Sequence, residues 1–166
     1  MKFELKRLHR DAVPAALKKA EHYRLLNEPL QAESICRDIL EVEPDYRPAT
    51  ITLLLALTDQ FSSDTAARAD EARRLVATLD DEYQRCYYTG LVCERRAASF
   101  LARGGHGSAP IAYDWLRQAM DWYEKAGRTS PPENDDAILR WNTCARLIMQ
   151  QRLAPAEEPA YHPALE

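Results

Sequence analysis

The side chains of this sequence that could act in nucleophilic or metal chemistry are its four cysteines and four histidines. Cys86 and Cys93 are seven residues apart, so a helix would carry both thiols on one face. A zinc site would need two further ligands, and no nearby spacing supplies them. No histidine stands in a motif with a catalytic partner. We therefore predict no catalytic residue, no metal and no cofactor, with core cysteines and surface histidines: Cys36, Cys86, Cys93, Cys144, His9, His22, His106 and His162.

A glycine-rich segment, GGHGS at residues 104–108, precedes a predicted helix and could cradle an anion on its backbone N–H groups. It lacks the Gly-Lys-Ser/Thr ending of a phosphate loop, and no predicted strand precedes it. Three of the five glycines lie here, so helix-breaking residues are concentrated at this point. The segment is therefore predicted to be an interhelical loop.

The second half of the chain contains side chains suited to binding rather than catalysis. Trp115 and Trp141 are predicted to form core between helices six and seven, whereas Trp122 is out of phase with that core and is a candidate exposed contact. Arginines and glutamates interleave along helix five, which is typical of a solvated face and compatible with a site for an acidic peptide. These charged residues are Arg85, Arg95, Arg96, Arg103, Glu82 and Glu94.

Charge and hydropathy exclude several classes of partner. The net charge of -4 and the pI near 5.6 argue against general affinity for phosphate backbones, so no nucleic-acid partner is expected. The first residues, MKFELKRLHRDA, contain no apolar core of a secretory signal. The longest apolar run, residues 51–57, is far shorter than a membrane span. We expect a protein of the cytoplasm with no membrane partner.

The elements that must position these residues are helices. Glycine is scarce, and runs of alternating β-branched and aromatic residues are essentially absent, so the predicted class is all-α with about seven helices. The predicted domain covers residues 13–153. It contains hairpins at about 13–44, 48–80 and 81–127 and a closing helix at 130–153. A leader, residues 1–12, precedes it, and a proline-rich flexible tail, residues 154–166, follows it.

Local signals predict helix ends and core positions. Asn27 tolerates the left-handed conformation that ends a helix, and Pro29 suits the first turn of the next one. The segment SPPE at residues 130–133 indicates a capping box that begins helix seven, and Gly127 indicates the end of helix six. Apolar spacing predicts that the following side chains are packed inward: Phe3, Leu5, Leu8, Leu26, Leu30, Ile111, Ile138 and Leu139.

The first hairpin resembles the tetratricopeptide repeat, whose pattern of about 34 residues is W-x2-L-G-x2-Y, then A-x3-F, then P. Ala20 and Tyr23 match the small residue and the tyrosine of the first helix. Ala32 with Cys36 takes the place of A-x3-F, and Pro44 that of the closing proline. The second and third hairpins resemble the pattern more weakly, and the resemblance covers roughly residues 13–153. The first hairpin departs from it at Ala16, Lys19 and Cys36, which replace tryptophan, leucine and phenylalanine.

The resemblance implies antiparallel hairpins stacked as a short right-handed solenoid with a C-terminal capping helix. It also implies that the first helices of the hairpins line a groove for a peptide or a partner helix. Chaperone-binding members of the family clamp a carboxylate with a lysine and asparagines, but Leu17 and Glu21 stand at the matching places here. That subclass is disfavoured. With the exposed tryptophan added, the predicted binding residues are Glu21, Arg24, Thr58, Asp59, Tyr87, Glu94, Arg95, Trp122 and Arg146.

The predicted function is thus a non-catalytic protein-interaction module or scaffold. Two alternatives stay open. One is a small helical enzyme or ligand-binding domain that uses His22, Cys36 or Tyr87, and the other is a homodimer formed through helix three or the terminal helices. For the architecture, another hairpin array or a compact bundle is the alternative to a solenoid.

Overall fold

The computed structural model of the chain describes residues 3–61 and 65–156. Within these residues there are seven α-helices and no strand, which confirms the all-α class. Most of the predicted tail lies outside the described residues. A short 3-10 helix, Arg10–Ala12, leads into the first α-helix. The α-helices are α1 (Val13–Leu25), α2 (Pro29–Val42), α3 (Arg47–Thr58), α4 (Thr65–Ala77), α5 (Glu82–Arg103), α6 (Ser108–Thr129) and α7 (Asp136–Gln151).

The helices pack in the order of the chain. Each one contacts the next, and α1 also contacts α3. This order follows from the one-sided apolar stripes, because each stripe must be buried against a neighbour. The turn between α1 and α2 is formed as predicted, with Asn27 at φ 60° and Pro29 as the first residue of α2. None of the four cysteines is in a disulfide.

Small side chains bring α1 and α2 together. Ala20, Ala32 and Cys36 are fully buried, and they pack with Leu53 and Leu57 of α3. Close packing of this kind leaves no room for larger side chains. In α3, eight of the 12 residues are buried, so this helix is largely enclosed by its neighbours.

The α5–α6 hairpin is longer than the α1–α2 hairpin, and its two helices approach each other through a glycine and a tyrosine. Both helices have 22 residues, and the Asp81 side chain caps α5 by accepting a hydrogen bond from the Gln84 N–H. A Cβ atom placed on Gly90 would lie 2.8 Å from Cε1 of Tyr123. The tyrosine ring therefore occupies the space that any larger residue at position 90 would need.

The predicted boundary between helices six and seven is wrong. Ser130 is the residue after α6, and its hydroxyl donates a hydrogen bond to the Asn134 carbonyl at 2.5 Å, so it does not cap a helix. The N–H of Asp136, at the start of α7, donates instead to the Asn134 side chain at 3.0 Å. Gly127 lies inside α6, which continues to Thr129. Two adjacent prolines are compatible with this turn and also with the first turn of a helix. The local sequence pattern therefore does not distinguish the two structures.

Several apolar residues predicted to pack inward are exposed. Leu8 packs against the first hairpin as predicted. Leu26 and Leu30 flank the turn at the tip of that hairpin, where Leu30 is 64% exposed. The periodic pattern continues past the point at which a neighbour covers the stripe, so periodicity alone overestimates burial. The residues for which the prediction is wrong are Phe3, Leu5, Leu26, Leu30, Ile111, Ile138 and Leu139.

The tryptophans are also arranged differently from the prediction. Trp115 is half-buried and lies under the guanidinium of Arg96 on α5, with 4.0 Å between the guanidinium carbon and the ring centroid. Trp141 is half-buried, and its indole N–H donates to Glu124 of α6 at 3.2 Å. Both rings are nevertheless packed against the core that α5, α6 and α7 share, and so is the partly buried ring of Trp122, which was predicted to be an exposed contact. No helix in the described ranges combines the length and apolar character that crossing a bilayer requires.

Candidate binding face

Three predicted binding residues from three different helices meet at one carboxylate. Arg24 on α1 donates from Nε to Oδ2 of Asp59, just after α3, at 2.9 Å. Arg95 on α5 approaches the other oxygen of the same carboxylate, with 3.8 Å between Nη2 and Oδ1. Half-buried pairs of this kind are held by tertiary structure rather than by local geometry. Asp59 therefore joins a side chain of α1 to one of α5 beside the end of α3.

A second group joins α5 to α6 and α7. Glu94 accepts a hydrogen bond from the Tyr123 hydroxyl at 2.6 Å and from Arg140 at 3.0 Å. Burial and the neighbouring Glu94 raise the pKa of Tyr123 well above its ordinary value, so the phenol stays protonated and can donate. Burial alone would lower the pKa of Arg140, but Glu94 and Tyr87 outweigh burial and raise it. Glu94 is thus engaged within the protein.

Tyrosines surround this second group. The ring of Tyr87 stacks on Tyr83 at 5.7 Å between centroids, lies edge-on to Tyr88 at 5.2 Å and is tilted against Tyr123 at 5.7 Å. Offset and edge arrangements of this kind stabilise aromatic clusters. The cluster fixes Tyr87, which lies seven residues and about two helical turns before Glu94 on α5. A rigid, half-buried phenol is a suitable contact for a partner because little side-chain entropy is lost on binding.

The remaining predicted residues are divided between several surfaces. Glu21 is exposed on the helix that carries Arg24. Thr58 is 3% exposed and its hydroxyl donates to the Leu55 carbonyl, so its side chain stabilises the end of α3. Arg146 is exposed on α7. Trp122 lies elsewhere, in a groove between α4 and α6, with Lys125 over its ring at 4.0 Å.

Two contributors to these groups were missed by sequence reasoning. Arg140 stands in no motif, and Tyr123 is not among the predicted binding residues. The signal that could have found Arg140 is its place four residues before the buried Cys144, which puts it beside the inward stripe of α7. Its partner Glu94, however, is 46 residues away, and no local pattern joins them.

Two of the residues considered for catalysis, Cys36 and His22, lie in different environments. Cys36 is fully buried, and burial raises its pKa to about 12, so its reactive thiolate is scarce near neutral pH. His22 is exposed on α1. Residues 3–61 and 65–156 contain no group of three or more histidine, cysteine or acidic side chains that could hold a metal ion. Residues 104–107 connect α5 to α6, as the loop prediction required, with all three glycines at positive φ.

These observations define an all-helical protein in which Arg24 of α1 and Arg95 of α5 meet at the carboxylate of Asp59, just after α3. Comparison with known proteins adds no relative: no protein-family model, no curated protein and no solved structure matches the chain.

Proposed function

We propose that this protein is a tetratricopeptide-like array of helical hairpins that binds a peptide or a partner helix. The proposed surface, called the odd-helix face, consists of Glu21, Arg24, Asp59, Tyr87 and Arg95. The observation that supports the proposal is the contact of Asp59 with both Arg24 and Arg95, since it brings side chains of α1 and α5 together at the end of α3. A concave row of first helices is what the resemblance implies for partner binding.

The chemistry of the face favours a partner with polar side chains of both signs. Arg24 and Arg95 share one carboxylate, and Nε of Arg95 is buried without a hydrogen-bond partner among the described residues. A partner carboxylate would complete this set of donors, while exposed Glu21 would attract a partner cation. Tyr87 adds an apolar surface with a hydroxyl edge. The set is mixed in charge, as expected for recognition by orientation rather than by net attraction.

A crosslinking experiment tests this surface. A benzoylphenylalanine at exposed Ala98, eleven residues after Tyr87 and therefore on its side of α5, should capture a partner from native lysate. The same probe at exposed Ala66 of α4 is the control and should capture much less. The Ala98 product should be lost with Arg95→Gln. It should persist with Arg47→Gln, which removes the distant ion pair with Asp80. Equal capture at both positions, or none, would contradict the proposal.

One observation favours homodimerisation as a second candidate. In contrast to α3, which is mostly buried, α7 leaves Ile138, Leu139 and Met149 more than half exposed. Ile138 and Met149 are eleven residues apart and share one side of the helix. Light scattering at increasing concentration should then give a dimer mass, which Ile138→Glu with Met149→Glu should return to a monomer. A monomer at the highest concentration removes this candidate.

A further inference from the structure

A groove on a different surface from the odd-helix face lies between α4 and α6, with α5 as its floor. It has a volume of about 450 Å³, which is within the usual size of a binding site. Trp122 of α6 is half-buried and gives the groove its apolar surface, whereas the lining valines Val76 of α4 and Val92 of α5 are only 5% and 2% exposed. Trp122 was singled out by sequence as an exposed contact, and it belongs here rather than with the other predicted residues.

One end of the groove is basic because of two arginines. Arg73 of α4 lines it, and Arg96 of α5 lies four residues beyond Val92, on the same side of the helix. Burial raises the pKa of Cys93 to about 11, and the positive charges of both arginines oppose that rise. Asp70 pairs with Arg73. The two arginines and this aspartate leave one net positive charge.

Arg96 has no anionic partner in the described part of the chain. Its guanidinium stacks on Trp115, its Nε is buried without a hydrogen-bond acceptor, and no carboxylate of residues 3–61 and 65–156 lies within 4.0 Å of it. Burial, and next the nearby Arg73, lower the pKa of Arg96. A partly buried guanidinium that lacks an ion-pair partner is stabilised by any carboxylate that reaches it.

The opposite end is also basic. Lys125 lies over the Trp122 ring at 4.0 Å, and it opposes the rise that burial causes in the pKa of Cys86. Arg85 donates to the carbonyls of Leu79 and Asp80, and Glu82 also lines this end. Again one net positive charge remains. Trp115, on which Arg96 stacks, and Trp122, over which Lys125 lies, are seven residues apart on α6, so the helix rise separates them by about 10.5 Å.

We propose that this groove binds an acidic amphipathic helix of a partner protein. Two of the partner's carboxylates, one heptad apart, contact Arg96 at one end and Lys125 at the other. An apolar side chain between them packs on Trp122. The spacing follows from the helix rise, because residues seven apart on the partner are also separated by about 10.5 Å on one face. The occupant is a helix because a groove between two helices takes an apolar helix face.

A synthetic peptide tests the proposal without knowledge of the natural partner. The probe is a capped, helix-forming 15-residue peptide with glutamates seven residues apart and a leucine between them, labelled for fluorescence anisotropy. One control peptide has both glutamates replaced by glutamine, and another has them two residues apart. The first peptide should bind the full chain at least about tenfold more tightly than either control, and its binding should weaken as salt rises.

Variants locate the binding. Arg96→Gln and Lys125→Gln should each weaken the probe about tenfold. Arg146→Gln, an exposed arginine of α7, and Arg95→Gln of the odd-helix face should leave it unchanged. Unfolding curves of all four variants show whether any loss reflects the fold. Backbone amide shifts in nuclear magnetic resonance spectra should change at Val92 and Trp122.

Several results would overturn the proposal. These are equal binding of the glutamine peptide, equal binding by Arg96→Gln and Lys125→Gln, and shift changes confined to Tyr87 and Arg95. If the probe binds only after removal of residues 157–166, this chain's own acidic end occupies the groove and the partner helix is excluded. If Arg96→Gln does not weaken the peptide but the probe at Ala98 still captures a partner, the odd-helix face is the binding surface and the groove is not. If the probe at Ala98 captures nothing but Arg96→Gln weakens peptide binding, the groove is the binding surface and the odd-helix face is not.

Discussion

Each half of the molecule contains a glutamate whose side chain is 14% exposed and accepts hydrogen bonds from other helices. In the first half, Glu33 of α2 accepts from Arg37, from Gln60 after α3 and from Arg68 of α4. In the second half, Glu94 of α5 accepts from Tyr123 of α6 and Arg140 of α7. Both carboxylates connect three elements, yet the donors differ in kind.

The difference in donors follows from how closely the helices approach. In the first half, α2 and α4 belong to different hairpins, and long arginine side chains span the gap, with Arg37 also reaching Glu71 of α4 at 2.9 Å. In the second half, Gly90 lets the Tyr123 ring lie against α5, so a phenol reaches Glu94 directly. In the first half, charged side chains at the surface therefore join α2 to α4. In the second half, a buried tyrosine joins α6 to α5.

The largest expected effect is on the second half. Tyr123→Ala removes a fully buried ring and should lower the free energy of unfolding by about 3–5 kcal/mol, because the cavity cannot close between two packed helices. Tyr123→Phe removes only the hydroxyl donor to Glu94 and should cost about 0.5–1.5 kcal/mol. Urea unfolding measures both. If the two variants lose equally, the hydrogen bond rather than the ring anchors α6.

Larger side chains at Gly90 and Ala32 test the close approach of α5 to α6 and of α1 to α2. Gly90→Ala places a methyl group 2.8 Å from the Tyr123 ring, and Ala32→Leu fills a site with no exposure; each should cost about 1–3 kcal/mol. Gly127→Ala is the control, because its Cβ would meet no atom within 4 Å. In a helix interior it should stabilise by roughly 0.5–1 kcal/mol. A stabilising Gly90→Ala would show that the ring can move away.

The pH dependence of stability shows whether Glu33 stabilises the first half as a charged carboxylate or only as a hydrogen-bond acceptor. Burial alone would raise the pKa of Glu33, but hydrogen bonds from Arg37, Gln60 and Arg68 outweigh it and lower the pKa below its ordinary 4.5. The carboxylate therefore stabilises the folded state fully above pH 4.5, and this contribution is lost as the pH falls through the folded-state pKa.

Glu33→Gln should consequently cost about 1–3 kcal/mol at pH 7, and the difference from the unmodified protein should shrink in acid. Thermal unfolding between pH 7 and pH 3 would measure this difference. Glu41→Gln, exposed on the same helix, serves as the control and should leave stability at pH 7 unchanged. A difference that is constant across this range would mean that the ion pairs of Glu33 contribute nothing beyond a neutral acceptor.

The smallest expected effect is at the tip of the first hairpin. Leu30→Gln should change the free energy of unfolding by no more than about 0.5 kcal/mol, because this leucine is mostly in solvent although its spacing predicts core. Leu57→Ala, at a fully buried position of α3, is the comparison and should cost about 2–5 kcal/mol. A loss above about 1 kcal/mol for Leu30→Gln would indicate that another chain covers the tip.

Local signals were sufficient for most of the helix assignment. Asp81 caps α5, Arg103 ends it before Gly104, and Pro29 opens α2, because capping, left-handed glycine and proline chemistry act within one or two turns. The core alanines Ala20 and Ala32 were likewise predicted from spacing and size. The boundary at Ser130 was not, because two local patterns compete there and only the hydrogen bond to Asn134 decides between them.

The sequence by itself determined an all-helical chain with hairpins in a given order, since helix periodicity and breakers are local properties of the chain. Only the tertiary structure decided which polar side chains meet. Arg24 reaches Asp59 across 35 residues, Glu94 reaches Arg140 across 46, and Arg96 reaches no carboxylate within the described ranges. The physical reason is that an ion pair depends on how helices are rotated and spaced, and that geometry is set by the packing of whole helix faces rather than by the charged residues themselves.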